Sequence, residues 1–275
     1  MALVNGRKVA YLSLADRALH YGDGLFETLA IERGQPLCVE RHLQRLANGC
    51  QRLGIITPDR ALLLGEVTAL SSGVPRGILK ILVTRGAAGR GYAPPEGNVP
   101  SRILLRYPWP KYPERYWQQG IKVCSCSVRL SRNRLLAGLK HLNRLEQVLA
   151  RRECERSGCP EGLMRDTAGW VTEGTMSNLF LVKHNQLVTP SLSYCGVDGI
   201  MRSVIMDLVH SQGPIPLIVQ KIRLHSLFDA EEIFFCNSVF GIWPVRKIGR
   251  RRYRVGAITR HLQHQLACRG LVAGL

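Results

Sequence analysis

The sequence contains no apolar run that approaches the roughly 20 residues needed to cross a bilayer. Its opening residues, MALVNGRKVA, lack the apolar core and the cleavage site of a secretory signal. We therefore expect a cytoplasmic protein without a membrane partner. The 275 residues, of which 45% are hydrophobic and 21% charged, are typical of a folded soluble protein with one large or two modest domains.

The cysteine spacing also lacks the usual signatures of disulfide frameworks and metal sites. The nine cysteines are odd in number, and no two of them form a C-x-x-C pair. We therefore expect reduced, buried thiols and no metal ion. Cys124 and Cys126 stand two residues apart in a strand-like run, so both thiols should point to one face of the strand.

Acidic residues are scarce. The sequence has 20 Asp and Glu residues and 38 Lys and Arg residues, which gives a formal net charge of +18. Such a charge makes nucleic acid a class of partner to consider. The basic residues are scattered, however, and the densest group, Arg250 to Arg252 with Arg254, is short and turn-like. With no recognition helix, ribonucleoprotein motif or zinc finger, the sequence favours an arginine-rich solvated surface over a nucleic-acid site. Such a surface would attract small anionic molecules.

Hydrophobic periodicity predicts two α+β domains, residues 1–108 and 120–275, joined by a linker at residues 109–119. The dipeptide Asn5-Gly6 predicts the turn of a hairpin whose second strand runs from Lys8 to Leu12. The other predicted elements, in chain order, are a strand at Leu25–Glu32, helices at Val39–Leu53 and Asp59–Leu70, strands within 77–85, 102–109 and 121–130, a helix at Leu142–Arg156, short strands between 161 and 190, a helix at 199–210, a strand at 230–239 and a helix at 257–270.

Lysine is rare beside arginine, with 8 lysines against 30 arginines, so a lysine in a partly apolar segment is a candidate for amine chemistry. Lys140 lies in AGLKHLNRLEQ between Leu139 and Leu142, before the predicted helix. Positive helix-dipole charge and apolar neighbours would lower the pKa of this amine. A neutral amine is what a Schiff base requires, and arginine cannot provide one. Lysines near helix starts are nevertheless common and usually solvated.

Downstream segments supply groups that would suit a pyridoxal phosphate cofactor on that lysine. Glu173 ends a strand in GWVTEG, and a carboxylate there could keep the pyridine nitrogen protonated. Asp198 is a possible N-cap of a helix whose first N–H groups, at Gly199 to Met201, could bind phosphate. Arg45 in RHLQRL and Ser238 in CNSV are further phosphate candidates. Taken alone, Glu173 is better read as a glutamate in a surface turn, and Arg45 can be read as a surface arginine.

The ordered set of motifs resembles one enzyme family. GDGLFET, RHLQRL, GLKHLNRLEQ, GWVTEGTMSNLF, GIMR and EIFFCNSV occur in the order and at the spacings of the fold-type-IV pyridoxal-phosphate enzymes, over nearly the whole chain. The resemblance implies a smaller N-terminal α/β domain and a larger C-terminal pseudo-barrel domain that binds the cofactor. Within the family, LAGLKHLNRLEQVLARRE, TRGAAGRGY and VDGIMR are most similar to the aminodeoxychorismate lyase branch.

The resemblance also implies roles for individual residues. Lys140 would hold the cofactor covalently and move protons, and Glu173 would pair with the pyridine nitrogen. Thr28 would face the cofactor as a second candidate catalytic residue and substrate contact. The remaining assignments are Arg45, Gly199, Ile200, Met201 and Ser238 for the phosphate, Asn143 for the ring hydroxyl side, and Arg90 and Tyr92 for a substrate carboxylate.

The implied activity is conversion of 4-amino-4-deoxychorismate to 4-aminobenzoate and pyruvate in folate biosynthesis, by a homodimer. Glu27 in LFET is also common in the aminotransferase branch, so an aminotransferase for D- or branched-chain amino acids stays an alternative. A third alternative, from another class, is a nucleic-acid-binding protein without enzymatic activity.

Overall fold

The computed structural model describes residues 1–9, 11–212 and 215–273, apart from the side chain of residue 212, and the chain divides into two compact units. Unit 1 comprises Met1–Pro110, the short segment Leu139–Asn143 and a C-terminal segment that begins at Val272. Unit 2 comprises Lys111–Gly138 and Arg144–Leu271. The five residues Leu139–Asn143, which include Lys140, therefore belong to unit 1, although the chain on both sides of them belongs to unit 2. The domain limits drawn from the sequence stay a prediction.

Unit 1 consists of an antiparallel sheet with helices, as its alternating apolar strands predict. Its strands occur in the order β1-β5-β4-β2-β3, and β2 pairs with β4 along its full length. Leu43, Leu46 and Cys50 form the buried stripe of α2, which confirms the predicted helix. The elements are β1 Ala2–Val4, α1 Arg17–Tyr21, β2 Gly24–Glu32, β3 Gln35–Pro36, α2 Val39–Leu53, α3 Arg60–Ser71, β4 Arg76–Thr84 and β5 Ser101–Pro108.

Unit 2 is built on a ten-stranded mixed sheet, ordered β11-β10-β9-β13-β14-β6-β7-β8-β12, in which β15 also pairs with β14. Its core is apolar and contains Phe235, Phe240 and Trp243, all essentially buried. The elements are α4 Arg115–Gln118, β6 Ile121–Leu130, α5 Leu145–Arg156, β7 Glu161–Asp166, β8 Trp170–Gly174, β9 Asn178–Lys183, β10 Gln186–Pro190, α6 Ile200–Gln212, β11 Leu217–Gln220, β12 Ile222–Arg223, a 3₁₀ helix Leu224–Leu227, β13 Glu232–Asn237, β14 Gly241–Ile248, β15 Arg251–Arg252 and α7 Ala257–Cys268.

The predicted N-terminal hairpin is wrong beyond its turn. Asn5 and Gly6 take the left-handed conformations expected of a hairpin turn, with φ of 50° and 79°, and Val4 pairs with Arg7. The Val9 N–H then donates to the Arg7 carbonyl, which takes the chain out of the ladder. Lys8 to Leu12 therefore forms no strand among its described residues (Ala10 lies outside them), and β1 pairs with β5 instead.

The helix predicted from Leu142 begins three residues later, at Leu145. The reason is that the Leu142 N–H donates to the Gly24 carbonyl at 3.0 Å, which holds residue 142 in an extended pairing beside β2. The basic segment near Gly249, predicted as a turn, contains the short strand β15. In the described ranges, no helix is both long and apolar enough to cross a membrane.

Candidate active site

Lys140 is held by strand-like pairing with β2. Its carbonyl accepts the Phe26 N–H at 2.9 Å, and His141 forms a bridge with Leu25. The Lys140 Nζ lies 4.3 Å from the centroid of the Phe26 ring. The helix dipole does not lower the pKa of this amine as predicted, because the first helical residue, Leu145, comes five positions after Lys140. The effect of the dipole is confined to the terminal turn. The partly apolar surroundings are present, but an aromatic ring provides them.

Alternation along β2 separates two sets of side chains. Phe26 and Thr28 are half-buried and share one face of the strand, whereas Glu27 points to the opposite face and is buried. Thr28 therefore lies on the face where the Lys140 amine covers the Phe26 ring.

Arg45 is fixed by a buried carboxylate. Its Nε donates to Oε1 of Glu27 at 2.8 Å and its Nη2 donates to Oε2 at 2.6 Å, which uses two of its five N–H donors. His42 Nδ1 lies 2.6 Å from the same Oε2. Burial would raise the pKa of Glu27, but Arg45 and His42 outweigh it and lower the pKa to about 2. The ionised Glu27 carboxylate therefore holds the Arg45 guanidinium in one orientation.

His42 completes this group from α2. Burial lowers the pKa of His42, against the opposing effect of Glu27, and the Arg45 and Lys140 cations lower it further. A neutral imidazole then donates from Nδ1 to Glu27. Its buried Nε2 has no hydrogen-bond partner among the described residues. Sequence reasoning missed Glu27 and His42 as members of a site, although the H-x-x-R spacing on one helix face was visible.

Glu173, at the end of β8, is one of the buried carboxylates of unit 2. It is 4% exposed, and its Oε2 accepts the Val197 N–H at 2.8 Å. Gly196, with φ of 89°, lies so close that a Cβ there would be 3.2 Å from the same oxygen. Gly138 pairs with this loop, since its N–H donates to the Gly196 carbonyl and its carbonyl accepts the Asp198 N–H. A buried acceptor-only group of this kind suits a cationic N–H.

The start of α6 is shaped by a glycine. A Cβ on Gly199 would lie 1.9 Å from Oδ1 of Asn178, so no side chain fits there. Asn178 Nδ2 in turn donates to the Val197 carbonyl at 2.9 Å. The Asp198 carboxylate accepts from Arg202 Nη1 at 3.0 Å, one turn into the helix. Ile200 and Met201 follow as buried first-turn residues whose N–H groups lie at the positive end of the helix.

Ser238 is the first residue of the turn after β13. That turn is organised by Asn237, whose Oδ1 accepts the N–H groups of Val239 and Phe240, both at 2.9 Å. Asn178 pairs with Cys236 across the β9–β13 ladder, two residues before Ser238. Asn178 and Asn237 lie within two of the motifs that carry the resemblance, GWVTEGTMSNLF and EIFFCNSV, but the sequence assigned neither of them a role.

Arg90 and Tyr92 lie in an exposed loop of unit 1, and Tyr92 is 85% exposed. Buried Arg17 anchors this loop, because its Nη1 and Nη2 donate to the carbonyls of Gly91 and Tyr92 at 2.8 and 2.9 Å. The exposed Asn143 side chain donates to the Gly22 carbonyl at 3.2 Å. The anchoring role of Arg17 was not apparent from the sequence, since a lone arginine in a polar segment has no distinctive pattern.

Comparisons with known proteins agree with the resemblance. Residues 24–248 match the profile of the family described as amino-transferase class IV. The chain belongs to the class IV amino-transferase family. It is 34% identical over 271 residues to the aminodeoxychorismate lyase of Vibrio harveyi, covering 97% of this chain and 99% of the relative.

Solved structures of this class IV family have the same fold. The crystal structure of 4-amino-4-deoxychorismate lyase from Pseudomonas aeruginosa superimposes with a TM-score of 0.94 at 50% identity and covers 98% of both chains. The branched-chain amino acid aminotransferase of Escherichia coli gives a TM-score of 0.87 at 28% identity, over 99% of this chain and 94% of the other. The predicted α+β, fold-type-IV architecture is confirmed.

The side chains of each unit fit pyridoxal phosphate, the cofactor of this family. Unit 1 contains a lysine amine and a half-buried arginine, Arg45, fixed by Glu27. Unit 2 contains a buried carboxylate, Glu173, and a helix start that only glycine can occupy at position 199. These are the group types that the aldehyde, the phosphate and the pyridine nitrogen of the cofactor require.

Proposed function

We propose that this chain is a pyridoxal-phosphate-dependent lyase that converts 4-amino-4-deoxychorismate to 4-aminobenzoate and pyruvate. The observation that carries the proposal is the 50% identity, over 98% of both chains, with the 4-amino-4-deoxychorismate lyase of P. aeruginosa. The 34% identity with the V. harveyi lyase over nearly full length supports it independently. The product 4-aminobenzoate places the enzyme in folate biosynthesis.

Lys140 and Glu173 have the central roles in this proposal. Lys140 would hold the cofactor covalently and would carry the proton. Glu173 would keep the pyridine nitrogen protonated, since its buried carboxylate is oriented by the Val197 N–H. When bound, the cofactor withdraws electrons from the carbon that carries the substrate amine.

Phosphate binding falls to Arg45, to the N–H groups of Gly199, Ile200 and Met201, and to the Ser238 hydroxyl. Arg45 suits this role because Glu27 fixes the plane of its guanidinium. The start of α6 suits it because unpaired first-turn N–H groups bind anions. Asn143 is assigned to the side of the ring hydroxyl.

Substrate binding falls to Thr28, Arg90 and Tyr92. Thr28 shares a strand face with Phe26, and the Phe26 ring contacts Lys140. Thr28 is therefore a candidate catalytic residue, whose hydroxyl can orient the reacting carbon of the substrate. Arg90 offers the two-pronged geometry that a carboxylate requires. Tyr92 stands in the same loop, which Arg17 anchors.

The reaction requires one proton to be taken and one ether bond to be broken. The Lys140 amine removes the ring proton from the carbon bearing the amino group. The electron pair forms a ring double bond as the bond from the ring to the neighbouring enolpyruvyl oxygen breaks, and the released enolate becomes pyruvate by taking up a proton on its methylene carbon. The ring becomes aromatic, so the enzyme needs chiefly to position the substrate and to accept the proton.

The decisive experiment uses purified holoenzyme and aminodeoxychorismate. Wild type should form 4-aminobenzoate and pyruvate in equal amounts, and Lys140→Ala should form neither. No product from the wild type would refute the lyase activity.

An aminotransferase is the second candidate, because the class IV profile and the 28% identity with the E. coli aminotransferase fit it as well. The two activities share the same lysine and carboxylate but differ in product. Sustained keto-acid formation from a D- or branched-chain amino acid, without 4-aminobenzoate from aminodeoxychorismate, would support the aminotransferase.

We further propose a cytoplasmic homodimer. Light scattering coupled to size exclusion should give twice the 30.7 kDa chain mass. A monomeric mass would contradict this assembly without affecting the assignment of the reaction.

A further inference from the structure

Three cysteine thiols of unit 2 converge on one point beside the ten-stranded sheet. Cys124 and Cys126 point to the same face of β6, as the sequence predicted, and Cys154 reaches them from the last turn of α5. The three Sγ atoms all lie within 4.8 Å of one another, and Cys124 Sγ lies 3.4 Å from Cys154 Sγ. Thiolates bound to one metal ion at about 2.3 Å stand about 3.8 to 4 Å apart, so this spacing already approaches that of a metal-thiolate site.

The surrounding structure keeps the thiols together. Gly162 on β7 lies against them, and a Cβ there would be 2.5 Å from the sulfurs of both Cys126 and Cys154. Cys126 and Cys154 are fully buried, whereas Cys124 is half-buried and leaves a route from solvent. Within the described ranges, this is the one group of three or more Cys, His, Asp or Glu ligand atoms close enough to share an ion.

The Glu161 carboxylate beside the thiols is already hydrogen-bonded on both oxygens, by the N–H of Gly162 and by the hydroxyls of Thr175 and Ser177. Metal binding requires the thiolate form of each cysteine, so each thiol would have to lose its proton.

We propose that Cys124, Cys126 and Cys154 form a binding site for a thiophilic d¹⁰ metal ion of the Zn²⁺ or Cu⁺ class. Each S–H bond that is lost releases one proton, and one metal–sulfur bond replaces it. Cys159, half-buried five residues after Cys154, is a candidate for a fourth ligand, because its backbone N–H donates to the Cys154 carbonyl at 2.9 Å.

The site departs from the expectation drawn from sequence. Zinc motifs are read from two cysteines in C-x-x-C spacing, and none exists here. A strand offers a different arrangement, because residues i and i+2 share a face. The third ligand comes from a helix that begins 19 residues after Cys126 along the chain, which local spacing does not reveal.

The test is a titration of the reduced, full-length holoenzyme with Cd²⁺ alone, followed by its ultraviolet thiolate-to-metal charge-transfer band. One equivalent should saturate the band, and a large excess of Zn²⁺ should compete with Cd²⁺ and weaken the band. Cys124→Ser should weaken Cd²⁺ binding at least ten-fold. Cys268→Ser is the matched control, because the Sγ atom of exposed Cys268 lies 3.3 Å from Nε2 of His264 and the two form an alternative pair of metal ligands.

A second measurement guards against misfolding of the Cys124→Ser variant. X-ray absorption of the wild-type cadmium complex should count at least three sulfur neighbours, and cadmium should protect half-buried Cys124 from alkylation. The proposal is overturned if the wild type gives no band at one equivalent, if fewer than three sulfurs surround the ion, or if Cys268→Ser, rather than Cys124→Ser, loses the band.

Discussion

At the scale of single residues, the buried carboxylate of Glu27 connects stability with function. The side chain is 1% exposed, and burial by itself would raise the pKa. The ion pair with Arg45 and the contact with His42 instead hold it ionised. A single charge therefore stabilises the packing of α2 on β2 and fixes the guanidinium that we assign to the cofactor phosphate.

Glu27→Gln tests that connection. The amide keeps the size of the side chain but removes the charge that orients Arg45, so the dissociation constant for pyridoxal phosphate should rise about ten-fold, or about 1.4 kcal/mol. Absorbance titration of the stripped enzyme measures it. Glu32→Gln is the control and should bind the cofactor normally. Glu32 lies on β2, like Glu27, and its ion pair with Arg76 of β4 is more exposed. Equal affinity for the two variants would disprove the orienting role.

The same residue predicts a pH dependence of stability. The folded-state pKa of Glu27 is lowered from 4.5 to about 2, so the unfolded chain binds more protons between these values. Its contribution, up to about 3 kcal/mol, is complete above pH 4.5 and is lost as pH falls towards 2. Denaturant unfolding at several pH values should show a steeper acid loss for wild type than for Glu27→Gln. Parallel curves would rule this contribution out.

At the scale of elements, the start of α6 depends on a close backbone approach. Gly199→Ala would force its Cβ into Oδ1 of Asn178, and the loop that carries Val197 and the first turn of α6 would have to shift. We expect weaker cofactor binding and a lower Tm. Gly65→Ala in α3 is the matched control, because a Cβ there meets nothing within 4 Å and alanine favours a helix by up to about 1 kcal/mol. A Tm for Gly199→Ala equal to wild type would show that Asn178 moves without cost.

A second element-scale prediction concerns the loop with Arg90 and Tyr92. Arg17 donates to Gly91 and Tyr92 from α1, so Arg17→Ala should release the loop and speed cleavage after Arg90 by trypsin. Arg76→Ala removes an exposed ion pair elsewhere in unit 1 and should leave the cleavage rate unchanged. Mass spectrometry of a brief digest reports the cut site, and an unchanged rate in Arg17→Ala would show that other contacts hold the loop.

Local periodicity explains which elements were predictable. The apolar stripe of α2 and the alternation of β6 are local patterns, and both elements have the predicted bounds. The hairpin after Asn5-Gly6 failed because the better pairing for β1 lies about 100 residues away in β5. Leu142 likewise pairs with Gly24 rather than joining the helix. Competing partners distant in sequence decide such cases, and a local pattern contains no information about them.

At the scale of the whole molecule, the candidate site residues were found through an ordered set of motifs rather than through chemistry at any one position. Lys140, Glu173 and Arg45 each read as ordinary surface residues when taken singly. The groups that support them, such as Glu27, His42 and Asn178, act through contacts between separate elements. The structure was therefore needed to find the groups that orient the proposed ligands.

The net charge of +18 gives a prediction that belongs to the molecule as a whole. The proposed substrate is a dianion, and a field of this sign should speed its capture at low salt. Raising the salt concentration should therefore lower kcat/KM, because the Debye length falls to about 10 Å at 0.1 M, while kcat stays constant. Added sucrose, which leaves ionic strength unchanged, separates screening from viscosity. If kcat falls with salt and kcat/KM does not, the basic surface has no part in substrate capture, and its excess arginines serve another purpose.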